Sequence, residues 1–250
     1  MKNKLQQRIL VLIPAYNEAR TIAGLIAEIR SLKLEADVVV VNDGSSDATV
    51  LEATKAGAVV ISHPFNMGYG VTVQTGYKYA SRNNYEVLVQ IDGDGQHDPA
   101  CIPRLIAQVC GGEIDIALGS RFLESGSYRP PFARRVGMAL FSRLIKLLTG
   151  LEISDPTSGY QAFNRRVMDF YVSDIFPCDY PDADVLLMLA LTGFRLREVP
   201  VRMTANSEGK SMHSGLKPLY YMFKMLLSMS VILMRNRGGR SRRGGTANAG

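Results

Sequence analysis

The chain has 250 residues, 46% of them hydrophobic, a formal charge of +6 and three cysteines. It is long enough to bury one large core, alone or with an appendage. Cys101, Cys110 and Cys178 are too few and too scattered for a disulfide framework or a four-ligand zinc site, so a reducing compartment is expected. The charge is local. Arg235, Arg237, Arg240, Arg242 and Arg243 follow Met234 with no acid among them, and taking those five from 29 basic side chains leaves 24 against 23 acidic ones.

Residues 8–13 (RILVLI) form an apolar run of the kind buried in a sheet, with no signal-peptide apolar region ahead of it. The run stops at Pro14-Ala15-Tyr16-Asn17-Glu18. A helix is expected over about 21–32, with Ile22, Leu25, Ile26 and Ile29 on one face. Residues 37–41 give a second strand that ends in Asn42-Asp43-Gly44-Ser45-Ser46-Asp47, where Ser46 or Asp47 can cap a helix over 48–56. Residues 58–61 give a third strand, and a helix through about Ser81 follows the loop His63-Pro64-Phe65-Asn66-Met67-Gly68-Tyr69-Gly70.

The fourth strand, 87–91, ends abruptly in Asp92-Gly93-Asp94-Gly95-Gln96-His97-Asp98-Pro99. Two carboxylates two residues apart, with an amide oxygen after them, suit a hard divalent cation that keeps water and phosphate oxygens as its other ligands. An Asx-rich turn with solvated carboxylates is the plain alternative. Asp98 before Pro99 fits an N-cap with proline at the first helical position. His97 is expected to face solvent, with a place behind the metal as the alternative.

A helix over 102–109 and a fifth strand over 114–118, ending in Gly119-Ser120-Arg121, complete an alternation that implies a mainly parallel sheet with right-handed crossovers. Asn17 and Glu18, Asp43, Asp92 with Asp94, and Arg121 all follow apolar runs directly, so they converge on the ligand-binding edge of such a sheet. There is no GxGxxG after the first strand and no GxxxxGK[ST] anywhere. A nucleotide diphosphate here therefore needs other neutralisation, and a metal on Asp92 and Asp94 with arginine support supplies it.

Beyond Arg121 the pattern changes. Residues 129–149 carry Met138, Phe141, Leu144, Ile145 and Leu148 on one face, flanked by Arg134, Arg135, Arg143 and Lys146. A basic amphipathic helix of this kind reads as membrane-surface binding, or as an ordinary domain-covering helix. Residues 155–163 (DPTSGYQAF) enter another strand, Asp182 and Asp184 open a helix, and 195–201 is a final strand. Lys210 and His213 lie in the polar loop 206–215. Residues 219–234 are apolar on nearly every face but are short for a bilayer span and interrupted by Lys224, so an interfacial or partner-covered helix is expected.

Together, VLIPAYNE at 11–18, VNDGSSDAT at 41–49, FNMGYG at 65–70, QIDGDGQHDP at 90–99, GSRF at 119–122 and DPTSGYQAF at 155–163 resemble glycosyltransferase family 2, in particular its polyprenyl-phosphate, dolichyl-phosphate mannosyltransferase-like branch. The resemblance implies an α/β GT-A (Rossmann-like) fold with a mainly parallel sheet, a GDP- or UDP-sugar donor and Mg²⁺ or Mn²⁺. It divides the chain into a domain over 1–215, with a nucleotide and metal half at about 8–122 and an acceptor half at about 123–215. An apolar membrane- or partner-associated helix at 216–234 and a basic disordered tail at 235–250 follow.

Carried over by position, Pro14, Tyr16 and Glu18 resemble the part that holds the nucleoside, and Asp43 the acid at base or ribose. Asp92, Asp94 and Gln96 match the metal motif, and Arg121 the residue that meets the donor diphosphate or acceptor phosphate. Asp92, Asp94 and Arg121 are thus the expected catalytic set. Arg202 and Lys210 fall in a late phosphate-contacting stretch, and Asp155 in an acceptor-side motif. Two departures stand out: Asn42-Asp43 replaces the usual acid pair, and Tyr69 sits where Lys or Arg is frequent.

A polyprenyl phosphate is an anion at neutral pH and needs no general base, whereas a hydroxyl acceptor does. The expected reaction is inverting hexosyl transfer to a dolichyl- or undecaprenyl-type phosphate, at the cytoplasmic face of the membrane. For a saccharide or protein hydroxyl, Asp182 or Asp184 would be the base; a non-catalytic nucleotide-sugar-binding subunit is the other alternative. Three routes to the lipid are open: the helix at about 134–149, the helix at 216–234, or a small membrane-anchoring partner protein covering the latter. Nucleic acid is not an expected partner, because acids at the strand ends repel its phosphates.

Overall fold

A computed structural model of the chain describes residues 7–123, 132–174, 176–177, 182–203 and 217–244. The apolar run at the start becomes β1 (Ile9–Ala15), in which Leu10, Val11, Leu12 and Ile13 are all completely buried. Alternate side chains of a strand point to opposite faces, and both faces of β1 are covered. Val11 and Ile13 pack with Ile22, Leu25, Ile26 and Ile29 of α1 (Ile22–Ser31) and with Leu105 and Val109 of α4 (Ile102–Cys110). Leu10 and Leu12 pack with Val73 and Tyr77 of α3 (Tyr69–Arg82) and Val167 and Met168 of α6 (Arg165–Tyr171).

With β2 (Ala36–Asn42), β3 (Val59–Ser62), β4 (Val87–Gln90), β5 (Ile116–Ser120), β6 (Gln161–Asn164) and β7 (Leu196–Pro200), the sheet has seven strands in the order β3-β2-β1-β4-β6-β5-β7. The neighbours are parallel except at β6, which runs antiparallel to both β4 and β5. The expected mainly parallel sheet is thus present. The one reversed strand has a consequence for function: it begins at the edge where β1, β2, β4, β5 and β7 end. The segment before β6, Asp155 to Tyr160, is therefore delivered to the same crevice.

The Asp98 cap forms as the sequence implies. Its carboxylate accepts the Ala100 N–H at 2.9 Å and Pro99 opens a single 3₁₀ turn before α4. At α2 (Thr49–Lys55) the flanking residue is Ala48, and Asp47 instead accepts the Thr49 N–H from one position earlier.

The second half differs from expectation at two places. The apolar face of α5 (Phe132–Thr149) does not meet lipid: Phe141 and Ile145 are buried against Leu186 and Leu187 of α7 (Ala183–Leu191) and Met225 and Met229 of α8 (Lys217–Gly244). What α5 exposes is a different set, Val136, Leu140 and Leu147, beside Arg135, Arg143 and Lys146. Helix α8 also continues through the arginine-rich stretch to Gly244, where a disordered tail was expected. Arginine is a good helix former, and positive charge is favoured at a helix C-terminus.

Candidate active site

The β1–α1 loop and the β2–α2 loop are stitched together. Asn17 adopts a left-handed backbone (φ 57°), which asparagine tolerates. Its N–H donates to Ser45 Oγ at 2.9 Å, and its side-chain oxygen accepts the Ser46 N–H at 2.9 Å. The Glu18 N–H donates to Thr49 Oγ1 at 2.8 Å. Tyr16 stands out from this frame, 48% exposed, where a flat base can meet its ring. Pro14 lies within β1, and its carbonyl accepts the Gly93 N–H at 3.3 Å. A Cβ on Gly93 would come 3.0 Å from that same carbonyl, so the spacer between the two aspartates has no room for a side chain.

Asp92 and Asp94 follow β4 at the centre of the sheet's ligand-binding edge. Asp92 Oδ1 accepts the Tyr69 hydroxyl at 2.9 Å, and His97 Nε2 stands 3.5 Å from Oδ2. Burial opposes ionisation of Asp92, but the His97 hydrogen bond and charge, the Tyr69 hydroxyl and the positive field of Arg121 outweigh it and hold its pKa below the usual value. Asp94 goes the other way: burial and the neighbouring Asp92 charge raise it. Glu18 is also raised, by burial first and then by Asp94, Asp47 and Asp92, against the Thr21 hydroxyl that lowers it. Placed at the nucleoside by resemblance, Glu18 thus also belongs to the electrostatics of the carboxylate pair.

Asp92 and Asp94 after β4, with the Glu18 charge beside them, offer carboxylate oxygens of the kind a hard divalent cation takes. Among the described residues no group of three His, Cys, Asp or Glu side chains is placed to hold a metal ion by itself. The donor set therefore fits Mg²⁺ or Mn²⁺ with phosphate oxygens and water completing the shell, the form these ions take in nucleotide sites. Gln96 donates its side-chain N–H to Asp94 Oδ2 at 2.6 Å and its backbone N–H to Oδ1 at 3.0 Å. It orients Asp94 directly, and its amide oxygen is the atom a ligand role would use.

Several side chains differ from the sequence expectation. Asp43, assigned to base or ribose by resemblance, is held by partners within the protein. It is 4% exposed, and its oxygens take the N–H groups of Met67 (2.8 Å) and Gly68 (2.9 Å) and the His63 ring at 2.8 Å. Those bonds overcome the cost of burial and hold its pKa down, so Asp43 anchors the loop before α3. His63, which sequence reasoning did not single out, completes this anchor by bonding Thr75 Oγ1 at 3.0 Å. Its signal was its place at the head of the FNMGYG segment.

His97 does not face solvent: it is 4% exposed, its ring lies 4.9 Å from that of Tyr160, and its Nδ1 has no hydrogen-bond partner among the described residues. Arg121 is buried and clamped bidentately by Asp155, Nε to Oδ2 and Nη2 to Oδ1, both at 2.5 Å, with Thr157 Oγ1 at 3.3 Å. Instead of the direct phosphate contact expected of it, Arg121 ties the end of β5 to the segment entering β6. Arg202 is exposed at the end of β7, and its carbonyl accepts the Asp98 N–H at 3.3 Å. Lys210 and His213 lie outside the described residues.

Of the two candidate bases, Asp184 is 2% exposed and its carboxylate accepts the Ser228 hydroxyl of α8 at 2.6 Å, a packing partner and not a free base. Asp182 borders a small cleft with Gln90, Ser158, Gln161 and Tyr171. Burial raises the Asp184 pKa despite the Ser228 and backbone hydrogen bonds. The folded state then holds its proton more tightly than the unfolded one, so Asp184 subtracts stability as pH rises above about 3.8, the ordinary aspartate value. Asp184→Asn is expected to flatten that slope in thermal melts across pH 4–7 and to leave sugar transfer intact. A collapse of turnover with unchanged melting would return Asp184 to the active site.

Among the described residues, a seven-stranded mixed sheet has one reversed strand beside the acid-bearing strand, and carboxylates and an aromatic gather at its edge, an arrangement compatible with a group-transfer enzyme. Residues 10–171 match the family described as Glycosyl transferase family 2. The chain belongs to that family and is a glycosyltransferase.

It is 31% identical over 228 residues to polyprenol monophosphomannose synthase of Mycolicibacterium smegmatis, covering 88% of this chain and 86% of that one. It is 29% identical over 217 residues to undecaprenyl-phosphate mannosyltransferase of Micrococcus luteus, covering 83% and 88%. In fold it is similar to glucosyl-3-phosphoglycerate synthase from Mycobacterium tuberculosis, solved in complex with Mg²⁺ and uridine diphosphate. That match has a TM-score of 0.66 at 22% identity and covers 93% of this chain and 80% of that one. The expected GT-A-like architecture is thereby shown.

Proposed function

We propose that the chain transfers a hexose, with inversion, from a GDP- or UDP-sugar to a polyprenyl phosphate at a membrane surface. The observation that carries the reading is the pair Asp92 and Asp94 at the end of β4, crowded by Glu18 and bordered by the segment that β6 brings back to the same edge. The names of the relatives support the lipid phosphate acceptor. Tyr16 and Pro14 lie where the nucleoside would be held, and Asp92 and Asp94 would hold Mg²⁺ or Mn²⁺. When bound, that ion stabilises the charge that develops on the departing diphosphate.

An oxygen of the lipid phosphate attacks the anomeric carbon from the side opposite the diphosphate. The bond to the diphosphate oxygen breaks, and the electron pair leaves with the nucleoside diphosphate. The nucleophile is already an anion, so no side chain takes a proton, and catalysis rests on positioning and charge. Arg202 and Lys210 are the cations assigned to the phosphates, and Arg121 contributes through its field at Asp92.

Contact with the bilayer falls on the outer face of α8. Phe223, Leu227, Val231 and Met234 are exposed there, a stripe at helical spacing that runs into the arginines from Arg235 onward. No described helix is long and apolar enough to cross a membrane. A basic apolar stripe of this kind suits the anionic cytoplasmic leaflet.

The test is a panel of nucleotide sugars scored for release of nucleoside diphosphate, with and without a short polyprenyl phosphate. Release is expected to need both the lipid phosphate and Mg²⁺ or Mn²⁺, to stop with EDTA and to return with added Mn²⁺. Release driven by a soluble saccharide instead, and lost in Asp182→Asn, would move the assignment to a hydroxyl acceptor with Asp182 as base.

A further inference from the structure

The structure gives the Tyr69 hydroxyl a task at Asp92. The phenolic oxygen accepts the Gln90 Nε2–H at 2.7 Å, which leaves its single hydrogen for Asp92 Oδ1 at 2.9 Å. The direction of this chain is fixed from behind. The Gln90 amide nitrogen also donates to the Gly159 carbonyl at 3.0 Å, an oxygen that can only accept, and the Gln90 amide oxygen accepts the Tyr77 hydroxyl and the Gln161 amide at 3.4 Å. Gln90 is 1% exposed and Tyr77 also 1%, so these bonds are made inside the protein.

Gly159 supplies the space. A methyl group there would stand 2.8 Å from the Tyr69 hydroxyl and 3.0 and 3.2 Å from the two Asp92 oxygens, inside normal contact distance of all three. The donor atom of the relay and the carboxylate it serves are both packed against a residue without a side chain, at the mouth of the reversed strand.

We infer that Tyr69 is a positioning residue for divalent-cation binding: through the Gln90–Tyr69–Asp92 relay it fixes the Asp92 carboxylate toward the ion, and Gly159 keeps that orientation open. The inference rests on the assignment of the cation to Asp92 and Asp94. Partners that orient metal ligands from behind typically change metal affinity by about 10–100-fold when removed.

The test is Mn²⁺ affinity, read from the electron paramagnetic resonance signal of free Mn²⁺ in the presence of UDP and, separately, GDP. Wild type, Tyr69→Phe and Gly159→Ala are compared, with thermal midpoints measured without metal. Tyr69→Phe removes one oxygen and leaves the Gln90–Gly159 bond intact, so it is expected to fold, with a midpoint lowered modestly by the Gln90 N–H that loses its acceptor. Its Mn²⁺ affinity is expected to fall about 10–100-fold, with kcat returning as Mn²⁺ is raised. Gly159→Ala is expected to weaken Mn²⁺ binding as well. Wild-type binding with a loss of less than about tenfold in Tyr69→Phe overturns the relay alone. Absence of Mn²⁺ binding by the wild type with either nucleotide overturns the cation assignment, and the relay with it.

Discussion

Asp92→Asn is expected to lower kcat by roughly 10²–10³-fold, the loss that follows removal of one preorganised stabilising group from a reacting charge, while the thermal midpoint stays near that of the wild type. The substitution keeps the shape of the side chain but turns one acceptor oxygen into an N–H donor and removes the charge that His97 and Arg121 help to maintain. Asp94 and Glu18 remain, yet burial, the largest influence on each, still opposes their ionisation, so neither replaces an acid whose surroundings keep it ionised. Asp92→Ala is expected to lose at least as much. Near-normal turnover by Asp92→Ala with EDTA present would remove both the ion and the carboxylate from the reaction.

The second large effect is on stability. Arg121 and Asp155 are 2% and 0% exposed at their side chains and form a bidentate pair. Removing one partner of such a pair strands the other as a buried charge, which costs about 3–5 kcal/mol. Arg121→Met is therefore expected to lower the melting temperature by on the order of 10 °C for a chain of this size. Arg121→Met combined with Asp155→Leu is expected to recover much of that loss, because no charge is left unpaired. The same experiment separates this role from direct phosphate binding. A phosphate-contacting Arg121 would leave the melting temperature unchanged and raise KM for the donor or the lipid.

Membership of the sheet and the position of the acids were legible in the sequence because both are local properties. The apolar runs 8–13 and 87–91 became β1 (Ile9–Ala15) and β4 (Val87–Gln90), with boundaries shifted by a residue or two. Asp98-Pro99 capped the following turn as the residue types require. Since strands that alternate with helices end at one edge, Glu18, Asp92 and Asp94 had to meet, and the charge coupling among them bears this out. The family resemblance rested on those same segments.

The partners of individual polar groups were not legible. Asp43 and Arg121 sit at strand ends, as expected, but what holds each comes from elsewhere in the chain: Met67, Gly68 and His63 for the first, Asp155 and Thr157 for the second. The apolar face of α5 read equally well as a lipid contact or a core contact, and only the approach of α7 and α8 decided for the core.

The sequence by itself determined the strands, the acids at their ends and the class of chemistry they permit. Hydrophobic period and residue type are fixed by neighbours along the chain. Only the tertiary structure decided which of those charges is presented to a ligand and which is neutralised inside. A buried ion must find its counter-ion wherever packing brings one, and the reversed β6 brought Asp155 to Arg121 and Gly159 to Asp92.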